Sequence, residues 1–160
     1  MLAARRAAEV SGLMLTYLGQ TRARADAIDL ADVCRRSLQT LRAAMPSDVL
    51  LEPDFPVQGP IIMAGAHQIQ QVLTNLCTNA SEAIGSSRGT IRLAVKAVSA
   101  GELPDVQRFP LDWQPQENVY ACIEVADSGC GIAGKDVEKL FDPFFSSKFT
   151  GRGLGLPVVL

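Results

Sequence analysis

Asp127-Ser128-Gly129-Cys130-Gly131 places a carboxylate ahead of two glycines, directly after the alternating apolar run from Val119 to Ala126. A strand that ends in this way delivers the carboxylate to a sheet edge and then turns sharply. Gly129 and Gly131 tolerate positive φ and let backbone approach a flat ring closely. A carboxylate accepts hydrogen bonds and donates none, so it selects a ligand with an exposed amine, such as the 6-amino group of adenine. One such charged hydrogen bond is worth about 1.5–3 kcal/mol, roughly 10- to 150-fold in affinity. Taken alone, the same five residues also suit an ordinary Asp-Gly turn, with Cys130 as a small turn filler or a reactive thiol.

Two further groups stand in order around this one. Asn75 and Asn79 lie upstream, one helical turn apart. Their amide oxygens suit a hard ion, and Mg²⁺ needs only one or two protein oxygens because phosphate and water supply the rest. The same spacing also describes a solvated helix face, but here it borders a strongly apolar stripe. Downstream, Gly151-Arg152-Gly153-Leu154-Gly155-Leu156 would expose backbone N–H groups at the start of a helix, a cradle for phosphate. Lys148 and Arg152 add positive charge beside it. Leu156 breaks the Gly-x-Gly-x-x-Gly dinucleotide pattern, and neither a Gly-x-x-x-x-Gly-Lys-Ser/Thr loop nor the His-Arg-Asp and Asp-Phe-Gly pair of eukaryotic-type kinases occurs. The three groups together describe a recess in which a buried anion grips a purine, amides steady a metal, and glycine backbone meets phosphates.

The elements that must position them follow from periodicity. Val10, Leu13, Met14, Tyr17 and Leu18 mark an amphipathic helix over residues 1–20, followed by a polar connector. Asp29 can cap a second helix whose stripe is Leu30, Val33, Cys34, Leu38, Leu41 and Met45, ended by Pro46. Val49 to Leu51 and Ile61 to Met63 read as short strands around a Pro-rich loop. His67 to Ile84 is the clearest helix. It buries Ile69, Val72, Leu73, Leu76, Ala80, Ala83 and Ile84, and aligns Gln71, Asn75 and Asn79 on another face. Thr90 to Val98 (Ile91, Leu93, Val95 and Ala97 inward) and Val119 to Ala126 (Val119, Ala121, Ile123 and Val125 inward) read as antiparallel strands. Residues 99–118 form a long excursion between them. Lys135 to Phe141 reads as a short helix, Asp142 to Thr150 as a loop, and Leu154 to Leu160 as the start of a helix.

Composition narrows the function classes. A chain of 160 residues with 48% hydrophobic and 20% charged residues suits one soluble domain plus one extra helix. A net charge of −2 argues against broad nucleic-acid or anionic-membrane binding. Four cysteines without a Cys-x-x-Cys pair, and one histidine, argue against zinc and fit a reducing cytoplasm. No stretch approaches the roughly 20 apolar residues of a membrane span.

The residues now in hand resemble the ATP-binding domain of two-component sensor histidine kinases, a branch of the superfamily shared with gyrase and chaperone-type ATPases. His67 to Ala83 resembles that family's N box, Asp127 to Gly131 its first glycine box, Leu140 to Lys148 its F box, and Gly151 to Leu156 its second glycine box. The resemblance covers residues 28–160. It implies an α/β fold, a two-layer α/β sandwich of the histidine-kinase/gyrase type with a mixed sheet and helices on one face. It also implies ATP and Mg²⁺ as ligands. Asn79 would be the Mg²⁺ ligand, with Asn75 its neighbour. Asp127 would bind the adenine amine above a floor of Gly129, Gly131 and Ile132. Phe144, Phe145 and Lys148 would belong to a mobile lid, and Arg152, Gly153, Leu154, Gly155 and Leu156 would meet the phosphates. Gly65 stands where the family usually has an Asp helix cap.

The same resemblance assigns residues 1–25 to the tail of a dimerisation hairpin and its connector, and 26–160 to the catalytic domain, with the family's last helix and strands beyond Leu160. The implied partners are a phosphoacceptor histidine domain, a response-regulator receiver domain, and a second copy joined through the first helix. His67 is an ordinary first-turn residue of the N-box helix, so the chain is expected to bind nucleotide without labelling itself. An open sheet edge at its end is expected to favour self-association. Two alternatives stand beside this one: a superfamily ATPase switch driven by ATP-dependent closure, and a non-catalytic dimerisation fragment. Hydrolytic members carry a glutamate where this chain has Asn75.

Overall fold

The computed structural model describes residues 25–103, 109–110, 113–145 and 155–159. The expected first helix, Lys148, Arg152, Gly153 and Leu154 lie outside the described residues. The chain divides into two compact units, one spanning Arg24–Gly131 and the other including Ile132–Leu160.

The first unit opens with β1 (Asp26–Asp29) and α1 (Leu30–Ala44). Asp29 ends the strand and caps the helix. Its Oδ1 accepts from Asp32 N–H at 3.0 Å, and its Oδ2 accepts from Gly59 N–H at 2.9 Å. A Cβ on Gly59 would lie 2.6 Å from both Ala31 Cβ and Asp29 Oδ1, so only glycine lets the Pro-rich loop come this close. One carboxylate therefore fastens the helix start and the loop together. These backbone hydrogen bonds hold its carboxyl below the usual carboxylate range. Arg35 supports the same loop through Pro56 O at 3.0 Å.

β2 (Val49–Asp54), β3 (Ile61–Ala64), α2 (Ala66–Ile84), β4 (Gly89–Ser99) and β5 (Val119–Asp127) follow. β1 pairs antiparallel with β3, while β4 is central in a mixed sheet, parallel to β2 and antiparallel to β5. The β4 alternation packs Ile91, Leu93 and Val95 against Leu73, Cys77, Ala80 and Ile84 of α2 and Leu30, Ala31, Cys34 and Leu41 of α1. On the other face Arg92 pairs with Asp54 and Lys96 with Glu124, each at 2.5 Å and solvent-exposed. One face is thus covered by helices and the other carries charges, which is the mixed-sheet sandwich expected.

Several local expectations need correction. Ala97, Val119 and Ala121 are exposed rather than inward, because the β4–β5 ribbon runs past the core, whose β4 members end at Val95. β1 was not legible in Asp26-Ala27-Ile28-Asp29, since pairing with β3, not propensity, makes it a strand. In the second unit, the expected helix from Lys135 to Phe141 shrinks to α3 (Gly134–Val137), followed by turns. The helix expected from Leu154 is, among the described residues, a 3₁₀ turn at Pro157–Val159. The long excursion is ordered where described: Tyr120 hydroxyl accepts from Gln116 and Glu117 N–H at 2.6 and 2.7 Å, and its ring meets Trp113 edge-on at 5.6 Å.

Two outcomes follow from this packing. Asp29→Ala lowers the thermal midpoint by several degrees near neutral pH. A carboxyl whose pKa is depressed in the native state contributes above its unfolded value, here 3.8, and the contribution disappears as pH falls further. Melts followed by circular dichroism from pH 7 to pH 3 should therefore show the gap between the proteins narrowing; a gap independent of pH contradicts the capping role. Burial pushes the Cys34 and Cys77 thiols up to about 11, whereas Cys130 is exposed. Alkylation of the native protein at pH 8, read by mass spectrometry, should modify Cys130 and spare Cys34 and Cys77 until the fold is denatured. Equal labelling of all three would contradict the described core.

Candidate functional site

Asp127 is the last residue of β5, paired in register with Ile91 of β4. Its carboxylate is solvent-exposed rather than buried, although its β4 partner Ile91 lies in the buried core. Oδ1 accepts from Gly129 N–H at 2.8 Å, which closes a tight local turn. Ser128 N–H donates to Thr90 O at 3.1 Å and Cys130 N–H donates to Ala83 O at 3.1 Å. Each bond fastens the loop to a different element, the first to β4 and the second to α2.

The two glycines of the loop do different work. Gly131 has φ +69°, and an added Cβ would meet nothing within 4 Å, so it supplies the left-handed turn on an open side. Gly129 does not adopt positive φ, contrary to expectation. A Cβ there would lie 2.5 Å from Ala83 C and 2.7 Å from Ala83 O. What the backbone approaches at Gly129 is the last turn of α2.

α2 presents the polar row. The helix starts at Gly65, where Gln68 Oε1 accepts from Gly65 N–H at 3.1 Å in place of a side-chain cap. It stops at Gly85, with φ +70°. Gln71, Asn75 and Asn79 are half-buried, beside the buried Leu73, Cys77 and Ala80, so the row is not an open solvated face. Gln71 Nε2 donates to Asn75 Oδ1 at 3.1 Å, which fixes the orientation of that amide. Among the described residues no cluster of three or more His, Cys, Asp or Glu side chains could cage a metal ion. A cation here would therefore take amide oxygen from the α2 row and its anionic ligands from phosphate, the pattern Mg²⁺ accepts.

The remaining candidates lie in the second unit. Ile132 and Phe144 are exposed, Phe144 with φ +69°, while Phe145, Gly155 and Leu156 are half-buried. Phe145 N–H donates to Asp142 O at 3.1 Å. The structure thus brings Asn75, Asn79, Asp127, Gly129 and Gly131 into one unit, joined through Ala83. Sequence reasoning missed Ser128, Thr90 and Ala83; the available signal was the placement of Ala83 one turn after Asn79. A separate cleft of about 290 Å³ between α1 and α2, lined by residues such as Leu41, Met45, Cys77 and Thr78, contains none of the candidates and no glycine-rich backbone.

The profile of the histidine kinase-, DNA gyrase B-, and HSP90-like ATPase family matches residues 64–160. Among curated proteins, the sensor kinase CckA of Brucella abortus (strain 2308) is 31% identical over 153 residues, covering 96% of this chain and 16% of the relative. The sensory histidine kinase/phosphatase NtrB of Rhodobacter capsulatus is 34% identical over 136 residues, covering 82% of this chain and 35% of the relative. The chain therefore spans about a sixth to a third of these relatives. Among solved structures, the catalytic domain of histidine kinase ThkA superposes with a TM-score of 0.62 at 23% identity, covering 85% of this chain and 77% of that one. Acinetobacter baumannii histidine kinase AdeS superposes with a TM-score of 0.63 at 23% identity, covering 99% and 64%. The fold is that of these kinase domains, as the resemblance implied.

Proposed function

We propose that this chain, which belongs to the histidine kinase-, DNA gyrase B-, and HSP90-like ATPase family, is the ATP-binding catalytic part of a sensor histidine kinase. One observation carries the reading: the loop bearing Asp127 is fastened to the helix bearing Asn75 and Asn79, so a carboxylate and a row of amides share one unit. In this reading Asp127 accepts from the adenine amine, and Gly129 and Gly131 shape the pocket floor beside Ile132. Asn79 offers its amide oxygen to Mg²⁺, with Asn75 held alongside by Gln71. Phe144, Phe145 and Lys148 form a lid, and Arg152, Gly153, Leu154, Gly155 and Leu156 meet the phosphates. Bound Mg²⁺ would neutralise charge on the β- and γ-phosphates. The domain supplies placement and electrostatic neutralisation for attack by a neutral imidazole, with little covalent chemistry of its own.

The proposed organisation assigns residues 1–25 to a dimerisation helix and connector, and 26–160 to the catalytic part. The acceptor histidine lies in a dimerisation domain, and a receiver domain takes the phosphoryl group onward; one structural neighbour, ThkA, was solved in complex with the response regulator protein TrrA. A cytoplasmic location belongs to the same proposal, and among the described residues no helix is long and apolar enough to cross a membrane. The ATPase-switch alternative needs a general base near Asn75. Asn75 carries a neutral amide whose oxygen accepts from Gln71, and it cannot take a proton from water.

Calorimetric titration with ADP tests the adenine contact: Asp127→Asn should weaken binding at least about tenfold, by loss of one charged hydrogen bond. Unchanged affinity would remove Asp127 from the site. Incubation with radiolabelled ATP should leave no acid-labile label on this chain, because His67 is a first-turn helix residue rather than an acceptor. Strong self-labelling, lost in His67→Ala, would overturn that assignment.

A further inference from the structure

Ser128 and Ala83 have no ligand-touching role in the reading above, and Gly129 enters it only as pocket floor, yet together they decide where Asp127 stands. Thr90 N–H donates to Ser128 Oγ at 3.0 Å, and Ser128 N–H returns a bond to Thr90 O at 3.1 Å. This pair continues the β4–β5 ladder one step beyond Ile91 and Asp127. On the other side, Cys130 N–H bonds Ala83 O at 3.1 Å while Gly129 packs on Ala83 with no space for a side chain. Gly89 completes the contact: a Cβ there would lie 2.7 Å from both Ser128 Oγ and Ile84 Cγ2. The end of α2, the start of β4 and the loop after β5 thus meet with glycine at both crossing points.

We propose that Ser128, Gly129 and Ala83 form a positioning clamp that sets the spacing between the Asp127 carboxylate and the Asn79 amide, a role distinct from the place of the Gly129 backbone in the pocket floor. This deepens the proposed nucleotide reading and rests on it. Asn79 and Ala83 lie one turn apart on a rigid helix, so a loop seated on Ala83 is registered to Asn79 as well. Two anchors gripping opposite ends of one ligand reinforce each other only when their separation is fixed in advance. A displacement of about 1 Å is enough to take a contact out of hydrogen-bonding range. Gly129→Ala drives a Cβ into the backbone of Ala83, and since the clash involves Ala83 C and O, shortening Ala83 to glycine does not relieve it.

The readout is the gain in ADP affinity that Mg²⁺ confers, the ratio of the dissociation constant in EDTA to that in Mg²⁺. A residue that merely supports the fold scales both constants alike and leaves the ratio unchanged. Calorimetry on wild type, Gly129→Ala and Ser128→Ala, each shown folded by circular dichroism, should find the ratio lowered about tenfold in Gly129→Ala, the worth of one misaligned contact. Ser128→Ala, which loses one exposed bond, should lower it about threefold and carries the test if Gly129→Ala does not fold. A ratio equal to wild type in folded Ser128→Ala and Gly129→Ala overturns the clamp while leaving the nucleotide reading intact. Wild-type protein that binds no ADP removes both.

Discussion

The close approach of the Asp127–Gly131 loop to the last turn of α2 is the constraint on which the site depends. A carboxylate at a strand end and amides on a helix face would otherwise be two unrelated surface features. The bond from Cys130 N–H to Ala83 O, with Gly129 against the same residue, makes them one construction. The approach leaves no space for a Cβ on Gly129. The candidate residues are thereby gathered at the junction of α2, β4 and β5, where the backbone is held from three sides.

The same helix serves both core and site. Leu73, Cys77, Ala80 and Ile84 face β4 and α1, and their burial fixes the rotation of α2 about its axis. That rotation turns Gln71, Asn75 and Asn79 to the margin, half-buried, with the Gln71–Asn75 bond holding the row in order. β4 is fixed in turn by two partners of opposite direction, β2 and β5, so Asp127 inherits its register from the central strand. Hydrophobic packing, which is non-directional, sets the layers; a few directional bonds then set the angstrom-scale positions.

Much of this was legible before any coordinates. The stripe of α2, the strand alternation of β4 and the Asp29 cap all rest on local spacing, and local spacing is what a sequence displays. The division of labour between Gly129 and Gly131 was not, because identical residues in one motif gave no sign of which faces a helix and which faces open space. β1 escaped for a related reason: its strand character comes from a partner over thirty residues away. The exposed end of the β4–β5 ribbon also looked like core, since alternation shows two faces but not where the covering helices end. The family resemblance, drawn from four ordered motifs, agreed with the fold found by superposition. Local spacing alone could not have supplied that overall architecture.

The central claim is that one recess at the junction of α2 and the Asp127 loop receives an adenine nucleotide. A crystal structure with a non-hydrolysable ATP analogue and Mg²⁺ tests it most directly. The account predicts the adenine amine within hydrogen-bonding distance of Asp127 and the cation within coordination distance of Asn79. An analogue lodged in the cleft between α1 and α2, with Asp127 still facing solvent, would contradict it.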